Sequence, residues 1–167
     1  VFGESVMESM STLGEKNSGN HHSVRDLTIP AIRLSTQKVG DTGFRFVRLE
    51  AVDGDVTVYT VKAVLDKRDL ERIGTFICND ERINKVWDTS VYTVELNMHE
   101  ILMEGVKRDR LVWIGDMHPE VSNVKAVFGK DECVPKSLDF VRDTTPKGEW
   151  MNNTATYSMW WIMIHHD

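Results

Sequence analysis

The sequence predicts an α+β chain built in segments: part of an antiparallel β-sandwich first, then an array of helices. Two observations carry this. From about Thr28 to Val64 apolar residues alternate with polar ones, as on a half-buried strand, and after Gly74 they recur at helical spacing. A third observation locates the chemistry: the densest polar run beside aromatic residues, Glu104 to Asp116, falls between the first two predicted helices.

In the first half, Leu27, Ile29 and Ile32 surround Pro30, Phe44 to Leu49 alternates in part, and Val56, Val58 and Val61 follow Asp53-Gly54-Asp55. Asp-Gly between two such runs is a hairpin signal. Glu15 to Ser23 is polar, with Gly and Asn, and reads as a loop. In the second half Asn79 can cap a helix, with Asp80 and Glu81 in its first turn. Ile83, Val86, Trp87, Val91 and Val94 then form one apolar stripe. A second helix is expected from His118-Pro119, proline opening it, to a stop at Gly129. A third is expected over 135–142, and a fourth from near Thr154 that is still running at Asp167. Short connections between successive helices imply a helical array.

Composition bounds the function. The chain has 167 residues, 41% hydrophobic and 28% charged, with a net charge of −6. Such an acidic balance argues against a nucleic-acid binder, which would carry a basic patch. No apolar run reaches the roughly 20 residues that span a bilayer, and Val1-Phe2-Gly3-Glu4 lacks the start of a signal peptide. The missing Met and the apolar run into His165-His166-Asp167 make both ends read as cut. Cys78 and Cys133 are expected to be buried free thiols rather than a disulfide framework.

The segment Glu104-Gly105-Val106-Lys107-Arg108-Asp109-Arg110-Leu111-Val112-Trp113-Ile114-Gly115-Asp116 can be tested as a helix. At about 100° per residue, Asp109 and Asp116 would lie about 140° and 120° away from Glu104, which would face elsewhere. Gly105 and Gly115 weaken a helix as well. A folded-back loop can bring all three carboxylates together, and a loop on a helical scaffold is where sites usually lie. Converging acids suit glycoside hydrolysis, in which one carboxylic acid protonates the leaving oxygen and a second carboxylate activates water. Neighbouring negative charge and burial would keep the donor protonated. Trp113 could wall a sugar and Arg108 could hold a hydroxyl or carboxylate. The plainer reading is a solvated loop with surface ion pairs.

Other features point less sharply. His165-His166 are neighbours on a helix, about 100° apart, and poorly placed to chelate one metal; His21-His22 sit in a polar loop. Trp160 and Trp161 lie in an apolar helix and suit core packing, as does Trp87. Trp150, in a loop after Pro146-Lys147-Gly148, suits a sugar platform better. Glu120 begins the predicted second helix, where an acid is favourable without any site role.

With these residues in view, the chain resembles the bacterial α-L-rhamnosidases of glycoside hydrolase family 78. Their pattern of an acid, Arg, one or two acids, Arg-Leu, a spacer, Trp, two residues and Asp is similar to Glu104…Arg108-Asp109-Arg110-Leu111-Val112-Trp113-Ile114-Gly115-Asp116. Similar flanks are Gly43-Phe44-Arg45-Phe46-Val47, Gly74-Thr75-Phe76 with Asn79 to Trp87, Met117-His118-Pro119-Glu120, Trp150-Met151-Asn152 and Tyr157-Ser158-Met159-Trp160-Trp161. The resemblance implies residues 1–73 as the C-terminal part of a β-sandwich domain and 74–167 as the first helices of an (α/α)6 barrel. It implies inverting hydrolysis of terminal α-L-rhamnosyl residues without a cofactor or metal, in the periplasm or outside the cell. Asp109 falls at the general acid, Glu104 and Asp116 at sugar-binding carboxylates, and Trp113 in the rhamnose pocket; Arg108 and Trp150 join them as candidate substrate contacts.

The chain departs from the pattern twice: Asp109 is one methylene shorter than the family's usual Glu, and Glu104 one longer than its usual Asp. The family's general base lies downstream of Asp167, across the about 6.5–9.5 Å that an inverting pair leaves for water. Three readings follow: an enzyme, a relative that binds rhamnose-containing glycans without cleaving them, and a scaffold for other domains. Part of a helical barrel leaves apolar faces uncovered, so the isolated chain is expected to be marginally stable or to associate. Thermal unfolding followed with sedimentation checks this, and a sharp cooperative transition of a monomer would contradict it.

Overall fold

A computed structural model describes residues 1–15 and 25–167, so His21 and His22 lie outside the described residues. The chain divides into two units, Val1–Leu65 with Val106–Asp109 and Asp66–Gly105 with Arg110–Asp167.

In the first unit β1 (Phe2–Gly3) pairs antiparallel with β2 (Phe46–Val47), Phe2 opposite Val47 and Gly3 opposite Phe46. The pairing is extended by the N–H of Arg45, which donates to Gly3 at 2.9 Å, and that of Arg48, which donates to Val1 at 2.9 Å. The one-turn helix α1 (Val6–Met10) starts at Ser5, whose hydroxyl accepts from the Glu8 N–H. Glu8 in turn binds the Lys107 ammonium, and the Gly43 N–H donates to Val106 at 3.0 Å, which ties residues 106–109 to this unit.

The expected sandwich is not formed among the described residues. β1–β2 is the sheet that they make, and the other alternating runs between 27 and 64 form no ladder. Asp53-Gly54-Asp55 does bend, with Gly54 at φ +70°, yet no hairpin closes across it. The reason is physical: an alternating strand is stabilised by the sheet that buries its apolar face. Here Leu49, Val58 and Val64 remain 63%, 55% and 66% exposed.

The second unit is helical: α2 (Glu81–Asn97), α3 (Ile114–Val127), α4 (Cys133–Thr144), a 3-10 turn (Met151–Asn153) and α5 (Ala155–His166). Asp80, rather than Asn79, caps α2 by accepting from the Arg82 N–H at 2.8 Å. The apolar stripe of α2 divides. Val91 and Val94 are buried and Trp87 rests against the core, whereas Ile83 and Val86 are exposed. The core is built around α3, whose Ile114, Met117, Val121, Val124 and Val127 are all buried. Trp160 and Trp161 pack against this core, and the Trp161 indole N–H donates to the Leu138 carbonyl at 3.0 Å.

α3 begins earlier than the sequence predicts, at Ile114 instead of His118, and Pro119 lies inside it. It ends as predicted, with Gly129 at φ +76° just past the C-cap Phe128. The early start follows from a distant cap. The Asn152 side chain accepts from the Ile114 N–H at 3.1 Å and donates to the Val112 carbonyl at 3.1 Å. A partner 38 residues away satisfies a helix end that local sequence leaves bare.

Residues 66–74 strap the helices together. Glu95, 3% exposed, accepts from Lys67 at 2.9 Å and Arg72 at 2.6 Å. The N–H groups of Ile73 and Gly74 both donate to the Val127 carbonyl, at 2.8 and 2.9 Å. Gly74 is required there, since a Cβ would stand 1.8 Å from the Ala126 carbonyl oxygen. Cys133 is wholly buried, and its thiol is pushed up to about 12, first by burial; Cys78, expected to be buried, is only half-buried.

Arg68 grips Asp131 with two bonds of 2.8 and 3.0 Å, and Asp131 also accepts from the Cys133 N–H at 2.9 Å at the start of α4. Burial pushes the Asp131 carboxyl up, but Arg68 and this N–H more than offset it and hold it at about 2. Its folded value is depressed, so its stabilisation is fully present above the ordinary carboxylate range and is lost as pH falls toward about 2. Asp131→Asn is expected to cost about 1–3 kcal/mol near neutrality and to flatten the acid limb of a stability–pH curve measured with urea.

Candidate active site

The acidic segment is held at both ends of a narrow loop. Glu104 and Leu111 form an antiparallel bridge, the Glu104 N–H donating to Leu111 at 2.9 Å and the Arg110 N–H to Glu104 at 3.1 Å. Between them the chain reverses through left-handed backbone: Gly105 at φ +72°, Asp109 at +64° and Arg110 at +51°. Two successive non-glycine residues in that region cost of order 1–2 kcal/mol each. The strain thus falls at Asp109, the predicted proton donor.

Glu104, Trp113, Asp116 and Trp150 belong to the helical unit; Arg108 and Asp109 belong to the first unit. Within the first unit the Arg108 guanidinium is exposed and stands 3.7 Å from the Asp109 carboxylate. Asp116, expected in the loop, lies in the first turn of α3, where the helix N-terminus favours its charge. Trp113 precedes that turn. The Asn152 amide binds the peptide groups on either side of it, and its indole meets Tyr157 edge-on at 6.5 Å. Tyr157 lies over Gly115, where a Cβ would come within 2.2 Å of the ring. The Trp113 indole N–H is buried without a hydrogen-bond partner.

The residue that the sequence undervalues is Glu120. It lies one turn after Asp116 on the same face of α3, and it is half-buried. Burial first, then the charges of Glu104 and Asp116, push its carboxyl up to about 7. Glu104 and Asp116 are therefore both near enough to act on one carboxyl. The sequence signal was the i, i+4 spacing of Asp116 and Glu120, hidden by placing the helix start at His118.

Glu120 lines a groove of about 540 Å³ along α2 and α3, and Trp150, 60% exposed, lines a second of about 320 Å³ with Leu111, Phe140 and Asn152. His165 packs edge-on against Trp161 at 4.1 Å, and His166 is exposed. Among the described residues no group of three or more His, Cys, Asp or Glu could hold a metal ion, and no helix is long and apolar enough to cross a membrane.

A carboxyl raised to about 7 binds a proton in the folded chain that the unfolded chain releases above about 4.5. Stability therefore falls as pH rises from about 4.5 through about 7 and levels off above it. Glu120→Gln is expected to raise the unfolding midpoint at about pH 8 more than at about pH 5, read by thermal denaturation at both. An equal change at both values would contradict it.

Residues 71–163, more than half of the chain, match the family model described as the bacterial alpha-L-rhamnosidase 6 hairpin glycosidase domain. The chain is also similar to an alpha-L-rhamnosidase of Formosa agariphila, 33% identical over 76 residues, which take in 46% of this chain and 8% of that protein. The match takes in the helices around α3, and the chain belongs to the bacterial α-L-rhamnosidase six-hairpin glycosidase family.

Proposed function

We propose that the protein containing this chain removes terminal α-L-rhamnosyl residues from glycans or glycosides by inverting acid/base hydrolysis. The observation that carries the reading is the grouping of Glu104, Asp116 and Glu120, in which burial first, and then the two neighbouring charges, hold the Glu120 carboxyl up to about 7. Such a site suits a sugar: ionised carboxylates accept from its hydroxyls, and a neutral carboxyl donates. Trp113 supplies an apolar wall, and Trp150 an exposed ring for stacking. Family membership supports the same chemistry.

Asp109 is assigned the proton-donor role by its place in the motif, and the left-handed backbone at 109–110 supports a site function there. Arg108, beside it, is assigned to the substrate. The water-activating base is assigned to a carboxylate downstream of Asp167, so the isolated chain is expected not to turn over. A second reading, a relative that binds such glycans without cleaving them, draws on the shorter Asp109 where the family usually has Glu.

The test is turnover of an aryl α-L-rhamnoside by the protein at its natural length, beside Asp109→Asn and Glu120→Gln. Loss of about 10²–10⁴-fold in kcat for Asp109→Asn, with a smaller loss for Glu120→Gln, is the expected result. The reverse order moves the donor role to Glu120. No turnover by the unaltered protein, with rhamnoside binding retained, establishes the binding reading.

A further inference from the structure

We propose that Glu8, on α1, is a positioning residue for Asp109: its ion pair with Lys107 holds the tip of the acidic loop and so sets the reach of the proton donor. The inference rests on the hydrolase reading above and adds to it a residue 99 positions from Lys107.

Residues 106–109 belong to the first unit, together with α1 and β1. Asp109 and the following Arg110 take left-handed backbone, at φ +64° and +51°. Side chains there are strained, and such a conformation persists only where its surroundings over-determine it. Two contacts of the first unit restrain the chain just before it. The Gly43 N–H donates to the Val106 carbonyl at 3.0 Å, and Gly43 lies so close that a Cβ would stand 2.7 Å from the Val106 Cγ2. Lys107 is only 7% exposed, and its ammonium donates to one oxygen of the Glu8 carboxylate.

Glu8 is itself held. Its N–H donates to the Ser5 hydroxyl at 3.1 Å, and its other carboxylate oxygen accepts from the Glu4 N–H at 2.6 Å. α1 in turn lies against β1, since a Cβ on Gly3 would stand 2.7 Å from the Ser9 nitrogen. Burial pushes the Glu8 carboxyl up, but Lys107, the Glu4 N–H and the charge of Arg25 more than offset it, so the pair is ionised. Two residues, at most about 7 Å of chain, join Lys107 to Asp109. Without the Glu8 charge a nearly buried ammonium loses that counter-charge, a costly state that the chain relieves by moving Lys107 toward water. Asp109 moves with it, and an error of about 1 Å in a reacting group costs up to about 10²-fold in rate.

A misplaced proton donor has a signature that a loss of stability lacks. Its effect grows with the basicity of the leaving group. The experiment uses the protein at its natural length and two substrates. Phenyl α-L-rhamnoside has a phenolate that leaves poorly without a proton; 2,4-dinitrophenyl α-L-rhamnoside has one that leaves readily. The variants are Glu8→Gln and Lys107→Met, with Asp109→Asn as the donor control. Lys107→Met breaks the same pair without stranding a buried cation, and it decides the matter where Glu8→Gln fails to fold. The expected result for both is a kcat about tenfold lower on the phenyl substrate and about twofold lower on the dinitrophenyl one, with KM nearly constant. Equal losses on both substrates, as a smaller folded fraction gives, or no loss on either, overturn the proposal. If Asp109→Asn shows the leaving-group dependence and the pair variants do not, the proposal alone fails. If Asp109→Asn lacks it, or the unaltered protein cleaves neither substrate, the donor or hydrolase reading fails first and the proposal falls with it.

Discussion

The helical unit depends on the burial of one seam along α3. Ile114, Met117, Val121, Val124 and Val127 recur at spacings of three or four and lie between 0% and 4% exposed. Each fully buried aliphatic side chain of this kind stabilises by about 1.5–3 kcal/mol. Because a helix is rigid about its axis, fixing that seam also fixes the orientation of every other residue on α3. Asp116 and Glu120 are thereby set one turn apart along one edge of the seam, Glu120 the more buried of the two. The burial of the valines thus sets where the two acids lie.

Burial has opposite outcomes for three acids of this unit. It pushes Glu95, Asp131 and Glu120 up alike. At Glu95 the cations Lys67 and Arg72 more than offset it, and at Asp131 Arg68 does. Both acids are therefore ionised and brace the strap 66–74 or the start of α4. At Glu120 the charges of Glu104 and Asp116 reinforce burial instead. Depth alone therefore does not decide the charge of a carboxyl: neighbours offset burial at Glu95 and Asp131 and add to it at Glu120.

Helix existence was legible in the sequence because α2, α4 and α5 carry their own punctuation: an acidic cap at Asp80, proline near the start of α4, and Thr154 before α5. What was not legible is non-local. The start of α3 is held by Asn152, which no window around Trp113 contains. With the start misplaced, Asp116 read as loop and Glu120 as an ordinary first-turn acid. The strands of the first unit failed for the same kind of reason: alternation records a wish for a partner sheet, and the described residues give one only to Phe46–Val47. The acidic loop itself was legible as a reversal, but the backbone that makes it, Gly105, Asp109 and Arg110, includes two residues with no glycine-like freedom.

Pro119 has a mechanical consequence for the site. Lacking an N–H, it leaves the Gly115 carbonyl without its rung of the helix ladder. The turn carrying Asp116 lacks that rung but has a tie to the 3-10 turn, through the Asn152 amide, and its Ile114 and Met117 are buried in the seam. Glu120, past the proline, belongs to the rigid body. The missing rung therefore falls between the two carboxyls, and the buried Met117 and Val121 on either side of the proline keep Asp116 and Glu120 in register with the seam.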